Sequence, residues 1–235
     1  IVGSALAVYR TVFAGKKVDG VLGHSVGEYA AAAIAGVIGD NDAMQLVARR
    51  ADAMAEAAAK TPTSMAAVLG GEEADVLEAI GQLELEPANF NGSGQIVAAG
   101  AKAAIQRLVE SPPQKARVIE LKVAGAFHTS FMESAKEPVA EVAEGFSAKD
   151  PAIKLWSNVG GAQVQDGTAF LSSLVSQIAS PVRWDKCMAS LSGLSATVVE
   201  LPPAGALAGL MKRGVLDATA IALKTPADVE KVPNS

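Results

Sequence analysis

Gly23-His24-Ser25-Val26-Gly27-Glu28 lies between a short apolar run, residues 18–22, and an alanine-rich run, residues 29–37. That order reads as strand, sharp turn and helix, and Gly-x-Ser-x-Gly in such a setting is a nucleophile elbow. Glycines flanking the serine avoid clashes at the turn, which lifts the Ser25 hydroxyl above the sheet edge. Ser25 and Glu28 also fit S-x-x-E ahead of an apolar run, the pattern of a helix capping box. The two readings are compatible: Glu28 caps the helix whose first N–H, that of Val26, faces a developing oxyanion.

Outward from the elbow, residues 1–14 read as a helix with Val2, Leu6, Val8, Tyr9 and Phe13 on one face. Downstream, Asp40-Asn41-Asp42 supplies caps for a long helix over 43–59, ended by Thr61-Pro62. Along that helix Ala43, Leu46, Val47 and Met54 form an apolar stripe with Arg50 in its middle and Arg49 to one side. A guanidinium on a packed face needs a wet pocket or a carboxylate, from the core or from a substrate, because leaving it unpaired costs roughly 3 to 5 kcal/mol. Periodicity leaves both options open.

Residues 65–123 read strand, helix, strand, strand, helix, strand. This βαββαβ order is ferredoxin-like and predicts a small subdomain, residues 62–124, inserted into a parent formed by 1–61 and 125–235. Gly92-Ser93-Gly94 is its hairpin turn and not a dinucleotide loop, since no helix follows it. Gly125-Ala126-Phe127-His128 returns the chain to the parent. There a helix over 131–146, a strand over 153–156, helices over 169–179 and 184–191, a strand over 197–201, a helix over 204–213 and a strand over 219–223 follow. This alternation predicts an α/β, hydrolase-like core with a mostly parallel sheet covered on both faces. The polar tail, residues 224–235, is expected to fray.

The bulk properties narrow the function. A chain of 235 residues buries a sizeable core, and a net charge of −5 with pI near 5.1 argues against general nucleic-acid or membrane-surface binding. Aromatic residues are scarce at 4%, so helices should pack through small side chains. The single cysteine, Cys187, forms no internal disulfide and reads as a buried hydrophobe. With no apolar stretch of spanning length, a cytoplasmic location is expected. The chain opens at Ile1 inside a helical pattern, so an N-terminal portion is expected to be missing. Ile1-Val2-Gly3 resembles the processed start of trypsin-like proteases, but the serine precedes His128 and no disulfide framework exists.

A serine hydroxyl needs a base, and histidine suits that role near neutral pH. The chain has two histidines. His24 adjoins the nucleophile and should point away, which leaves His128. No aspartate occupies an obvious late-strand position ahead of His128, so a backbone carbonyl is a candidate to orient its ring.

Together, the Gly23–Glu28 elbow, Arg50, Asn89-Phe90-Asn91 with the run 94–100, Gly125-Ala126-Phe127-His128 and Ser180-Pro181-Val182-Arg183-Trp184 resemble the malonyl-CoA:acyl carrier protein transacylase family. The likeness runs over nearly the whole chain, and discrete actinobacterial enzymes of type II fatty-acid synthesis look nearest. It implies Ser25 as acyl-accepting nucleophile, His128 as base, Arg50 as the grip on the malonyl carboxylate and Gln177 as the residue whose main-chain carbonyl holds the histidine. It also implies Val26 N–H as an oxyanion donor, Phe127 as a mark of malonyl selectivity, and Asn89 and Asn91 near the cleft. Its partners would be malonyl-CoA and acyl carrier protein, with no cofactor or metal, and the chain would act as a monomer. Carrier docking would use Lys115, Arg117, Lys122 or Arg183.

Two departures stand out. The family's opening strand and Gly-Gln-Gly loop, roughly sixty to seventy residues, have no counterpart here. A chain truly without that second oxyanion donor should be badly impaired, since one donor is worth about 2.7 to 4 kcal/mol. Pro202-Pro203-Ala204-Gly205 stands where many members have Gly-Pro-Gly. Two rivals remain, a serine hydrolase using the same elbow and a non-catalytic carrier-binding paralogue or fragment.

Overall fold

The computed structural model describes residues 1–233, and the last two residues of the tail expected to fray lie outside them. In chain order the elements are α1 (Val2–Val12), β1 (Gly20–Leu22), α2 (Gly27–Ile34), α3 (Asp40–Ala59), β2 (Thr63–Gly70), α4 (Glu73–Gln82), β3 (Glu86–Gly92), β4 (Gln95–Ala101), α5 (Lys102–Glu110) and β5 (Ala116–Leu121). Then come α6 (Lys136–Ala143), β6 (Lys154–Trp156), α7 (Gly167–Ser176), α8 (Trp184–Ala189), β7 (Thr197–Glu200), α9 (Ala206–Gly214) and β8 (Thr219–Ala222).

The largest core gathers α1, α2, α3, α6 and α7 around Tyr29, Leu46, Met132, Leu155 and Leu174. Ala30, Ala31, Ala32 and Ala33 are all buried there, so α2 is packed nearly all round and only small side chains let its neighbours approach. The strands β2 to β5 form an antiparallel sheet in the order β3-β4-β2-β5. One face, with Ala66, Val68, Ile96 and Ala98, packs on α4 and α5 through Val76, Ile80, Ile105 and Leu108. The other, with Met65, Val97 and Ala99, packs on Ala126, Phe127 and Phe131. Burial on both faces explains why β4 reads as a continuous apolar run. At the β3–β4 turn, Ser93 and Gly94 both have positive φ, 50° and 71°, as a two-residue hairpin of this hand demands.

The parallel strands differ from expectation. β1 pairs with β6 and β7 with β8, both parallel, but among the described residues they form two separate pairs and not one sheet. No strand among these residues bridges β1 to β7. On its far side β6 is closed by an antiparallel return, with Trp156 bridging Gln163.

Three local expectations are corrected. The N-cap of α3 is Gly39, and Asp42 reaches back from the first turn to accept its N–H at 3.2 Å. The helix expected over 131–146 is a 3-10 turn, Ser130–Ala135, followed by α6. Pro138 has no N–H for the carbonyl four residues earlier and is tolerated only in the first turn of a new helix. The tail is ordered as a 3-10 turn over Pro226–Lys231, capped where Asp228 accepts from Thr225 N at 2.8 Å.

Candidate active site

Ser25 sits at φ 53°, in the left-handed region that ordinary side chains avoid. Gly23 is required beside it, because a Cβ there would stand 2.1 Å from the Gly27 carbonyl carbon. Gly27 is different, since a Cβ there would meet nothing within 4 Å. The steric need for glycine therefore holds on one side of the nucleophile only.

The capping-box reading of Ser25 and Glu28 does not hold. α2 has Val26 as its N-cap with no side-chain cap, and Glu28 is buried at 1% exposure. One Glu28 oxygen accepts Asn158 N–H at 2.8 Å and the other accepts from the Gln177 amide. Ser25 N–H instead donates to Asn158 Oδ1 at 2.8 Å, while Asn158 Nδ2 donates to Gly23 O at 2.7 Å. Asn158 thus spans the elbow and holds both sides of the nucleophile. Burial drives the Glu28 carboxyl up to about 7 against the hydrogen bonds that favour its charge.

His128, also at positive φ (63°), lies on the segment that leaves β5. Its Nδ1–H donates to Gln177 O at 2.9 Å, which fixes the tautomer so that Nε2 accepts the Ser25 hydroxyl proton at 2.6 Å. Gln177 O also accepts Ser180 N–H at 3.2 Å, and it keeps a lone pair for His128 because Pro181, four residues on, has no N–H to offer. α7 accordingly ends at Ser176 and tightens into the 3-10 turn Gln177–Ala179. Desolvation, then the nearby Arg50 charge, lowers the His128 pKa to about 3, so the ring is neutral. Gly125 lets this segment approach α3, since a Cβ there would meet Ala58 Cβ at 2.7 Å.

Arg50 enters from the buried face of α3. Its Nη2 donates to Ser25 Oγ at 3.1 Å and to Gln177 Oε1 at 3.4 Å, and the guanidinium lies 5.5 Å from the Tyr29 ring centre. Its Nε has no partner, and among the described residues no carboxylate stands within salt-bridge distance of it. Burial lowers its pKa.

The structure therefore brings Ser25, His128, Arg50 and Gln177 into one hydrogen-bonded group. Val26 N–H has no acceptor among the described residues, and Phe127 is half-buried between the two packed bodies. Asn89 and Asn91 are buried on β3. Asn91 accepts from His24 Nε2 at 3.0 Å, which turns His24 away from Ser25, and Asn89 bridges Val182. Cys187 is buried and its thiol is pushed up to about 12. Sequence reasoning missed Asn158 and mistook Glu28. The signal available was an Asn two residues after the strand at 153–156, at the carboxyl end where open α/β sheets build their sites.

The model of the acyl transferase domain matches residues 4–230. The chain is 51% identical over 226 residues to the malonyl CoA-acyl carrier protein transacylase of Mycobacterium bovis, covering 96% of this chain and 74% of that protein. A crystal structure of MCAT from Mycobacterium tuberculosis superposes with a TM-score of 0.91 at 49% identity, over 98% of this chain and 78% of that one. A type II PKS acyl-carrier protein in complex with its malonyl-transacylase contains a chain with TM-score 0.89 at 29% identity, over 98% of this chain and 77% of that one. With a serine–histidine pair at 2.6 Å in a fold so matched, the chain belongs to the acyl transferase domain family, among the malonyl CoA-acyl carrier protein transacylases.

Proposed function

We infer that this chain transfers the malonyl group from malonyl-CoA to the phosphopantetheine thiol of acyl carrier protein through a malonyl-serine intermediate. The observation that carries the malonyl reading is Arg50, a buried guanidinium with an unpartnered Nε and no carboxylate partner among the described residues, set 3.1 Å from the nucleophile oxygen. Ser25 Oγ attacks the thioester carbon as its proton passes to His128 Nε2, and Val26 N–H receives the developing oxyanion. The C–S bond then breaks and His128 returns the proton to the CoA sulfur. In the second half-reaction the carrier thiol gives its proton to His128 and attacks the malonyl-serine ester, which regenerates the Ser25 hydroxyl. A base so placed is worth about 10² to 10⁴ in rate.

The β3-β4-β2-β5 order of the small sheet supports reading residues 62–124 as a ferredoxin-like subdomain inserted into an α/β-hydrolase-like catalytic subdomain, 1–61 and 125–235. In this reading Phe127, Asn89 and Asn91 line the cleft between them, and the enzyme works as a cytoplasmic monomer. No helix among the described residues is long and apolar enough to cross a membrane. Exposed Lys115, Arg117 and Lys122 are the favoured contacts for an acidic carrier, since Arg183 is engaged by Asp185 at 2.6 Å. A hydrolase reading is disfavoured by the carbonyl, in place of a carboxylate, behind His128.

Incubated with malonyl-CoA, the intact protein should gain one malonyl mass on Ser25, read by mass spectrometry of the protein and its peptides. An adduct that persists in Ser25→Ala would sink the assignment.

A further inference from the structure

Gln177 alone among the described residues contacts Ser25, His128, Arg50 and Glu28 together. Its main-chain oxygen serves His128, so its side chain is free for another task. A carboxamide has one acceptor end and one donor end, and the structure uses both: Oε1 accepts from Arg50 Nη2 at 3.4 Å, and Nε2 donates to Glu28 and, at 3.4 Å, to Ser25 O. Arg50 offers only donors, and Glu28, in the ionised form it takes above about pH 7, only acceptors. The orientation of the amide is therefore decided by which group stands at its far end. Glu28 cannot swing away, because its other oxygen is held by Asn158 N–H at 2.8 Å and the side chain is fully buried. The interposed amide also keeps the Glu28 carboxylate from pairing with Arg50 directly, which would use up the charge.

We propose that Glu28 is a positioning residue for malonyl selectivity: by accepting from Gln177 Nε2 it fixes the polarity of that amide, so that Oε1 holds the Arg50 guanidinium beside Ser25 with its charge left for the malonyl carboxylate. This rests on Arg50 receiving that carboxylate. Glu28 touches neither the reacting oxygen nor His128; its bond from Asn158 N–H is one that glutamine can keep, so the change made by Glu28→Gln acts through Gln177.

Glu28→Gln is nearly isosteric and tests the point. Its Oε1 must stay with Asn158 N–H, so its NH₂ faces the NH₂ of Gln177. The Gln177 amide must then turn over and present a donor to Arg50. The preference for malonyl-CoA over acetyl-CoA in kcat/KM should fall about tenfold to a hundredfold, the range for loss of a hydrogen bond to a charged group. Phosphonylation of Ser25 by a neutral fluorophosphonate, which needs the dyad and no carboxylate grip, should stay within about twofold. An unchanged preference overturns the proposal, and so does an equal fall in malonyl, acetyl and phosphonate reactivity. If Glu28→Gln does not fold, Glu28→Asp draws the carboxylate back by one methylene from Gln177 Nε2; the same selective loss is expected, and an intact preference overturns the proposal. Arg50→Ala separates the two levels. If it leaves the malonyl preference unchanged, the reading of Arg50 itself fails; if it abolishes the preference while Glu28→Gln does not, only the role of Glu28 fails.

Discussion

Asn158 holds the nucleophile through two hydrogen bonds, from Ser25 N–H and to Gly23 O, and neither touches the reacting oxygen. Asn158→Ala removes both and leaves Asn158's own backbone bond to Glu28. The expected result is a fall of about tenfold to a hundredfold in kcat with KM little changed, as for a reacting group displaced by a fraction of an ångström; stopped-flow acylation of Ser25 reads it directly. A second consequence at this scale concerns pH. His128 is held at about 3, so between there and its ordinary 6.5 the unfolded chain binds a proton that the native one does not, and stability falls as pH drops through that window. Glu28, raised to about 7 from 4.5, acts oppositely: the native chain keeps a proton that the unfolded chain has released, and stability falls as pH rises between those values. The acid limb of kcat/KM should accordingly lie well below 6.5; between pH 4.5 and 6.5 the two contributions oppose each other, so thermal melts of Glu28→Gln should show a steeper rise of stability with pH over that range than the wild type does. An acid limb at 6.5 would contradict a desolvated His128.

Among the elements, α9 shows what a single carboxylate can do for a helix. Glu200, the last residue of β7, accepts the N–H groups of Gly205, Leu207 and Ala208 at 2.7, 3.0 and 2.8 Å, so the exposed donors of the first turn and the helix dipole meet one charge. Glu200→Ala should lower stability by about 1 to 2 kcal/mol in urea melts while acylation of Ser25 is unaffected. The comparison with sequence is clearest at this level. The elbow, the α3 stripe that buries Arg50 and the hairpin at Ser93-Gly94 are legible because each depends on neighbours within a turn or two. Glu28 is misread for the same reason: its pattern is local, whereas its partners Asn158 and Gln177 lie far along the chain and are reached only once α2, β6 and the end of α7 have packed together. Pro138 and Pro181 could have announced the 3-10 turns that precede them, Ser130–Ala135 and Gln177–Ala179, since a missing N–H is a property of the residue alone.

For the whole molecule, the joint between the small sheet and the rest includes, beside the packing of β3 on α8, several contacts made by chain neighbours of the site. Asn91 meets His24, Glu86 accepts from Ser130 N–H at 3.1 Å, Thr63 accepts from Ala126 N–H at 3.0 Å, and β3 exchanges backbone bonds with Val182. His24, Ala126 and Ser130, which meet the small sheet, are thus chain neighbours of Ser25 or His128. Asn91→Ala would strand the buried His24 N–H at a cost of about 1 to 3 kcal/mol. It should lower kcat/KM for malonyl-CoA and acetyl-CoA by the same factor, a loss of placement without loss of discrimination, measured with both thioesters alongside a thermal melt.

Both members of the dyad occupy left-handed backbone conformations, φ 53° at Ser25 and 63° at His128, at the two ends of one hydrogen bond. Each such residue costs of order 1 to 3 kcal/mol, comparable to a large part of a domain's net stability. The catalytic pair is thus a permanent thermal handicap that the alanine-packed core must outweigh. Random selection for heat resistance alone would drift toward glycine at these two positions, trading the reaction away for a more durable protein.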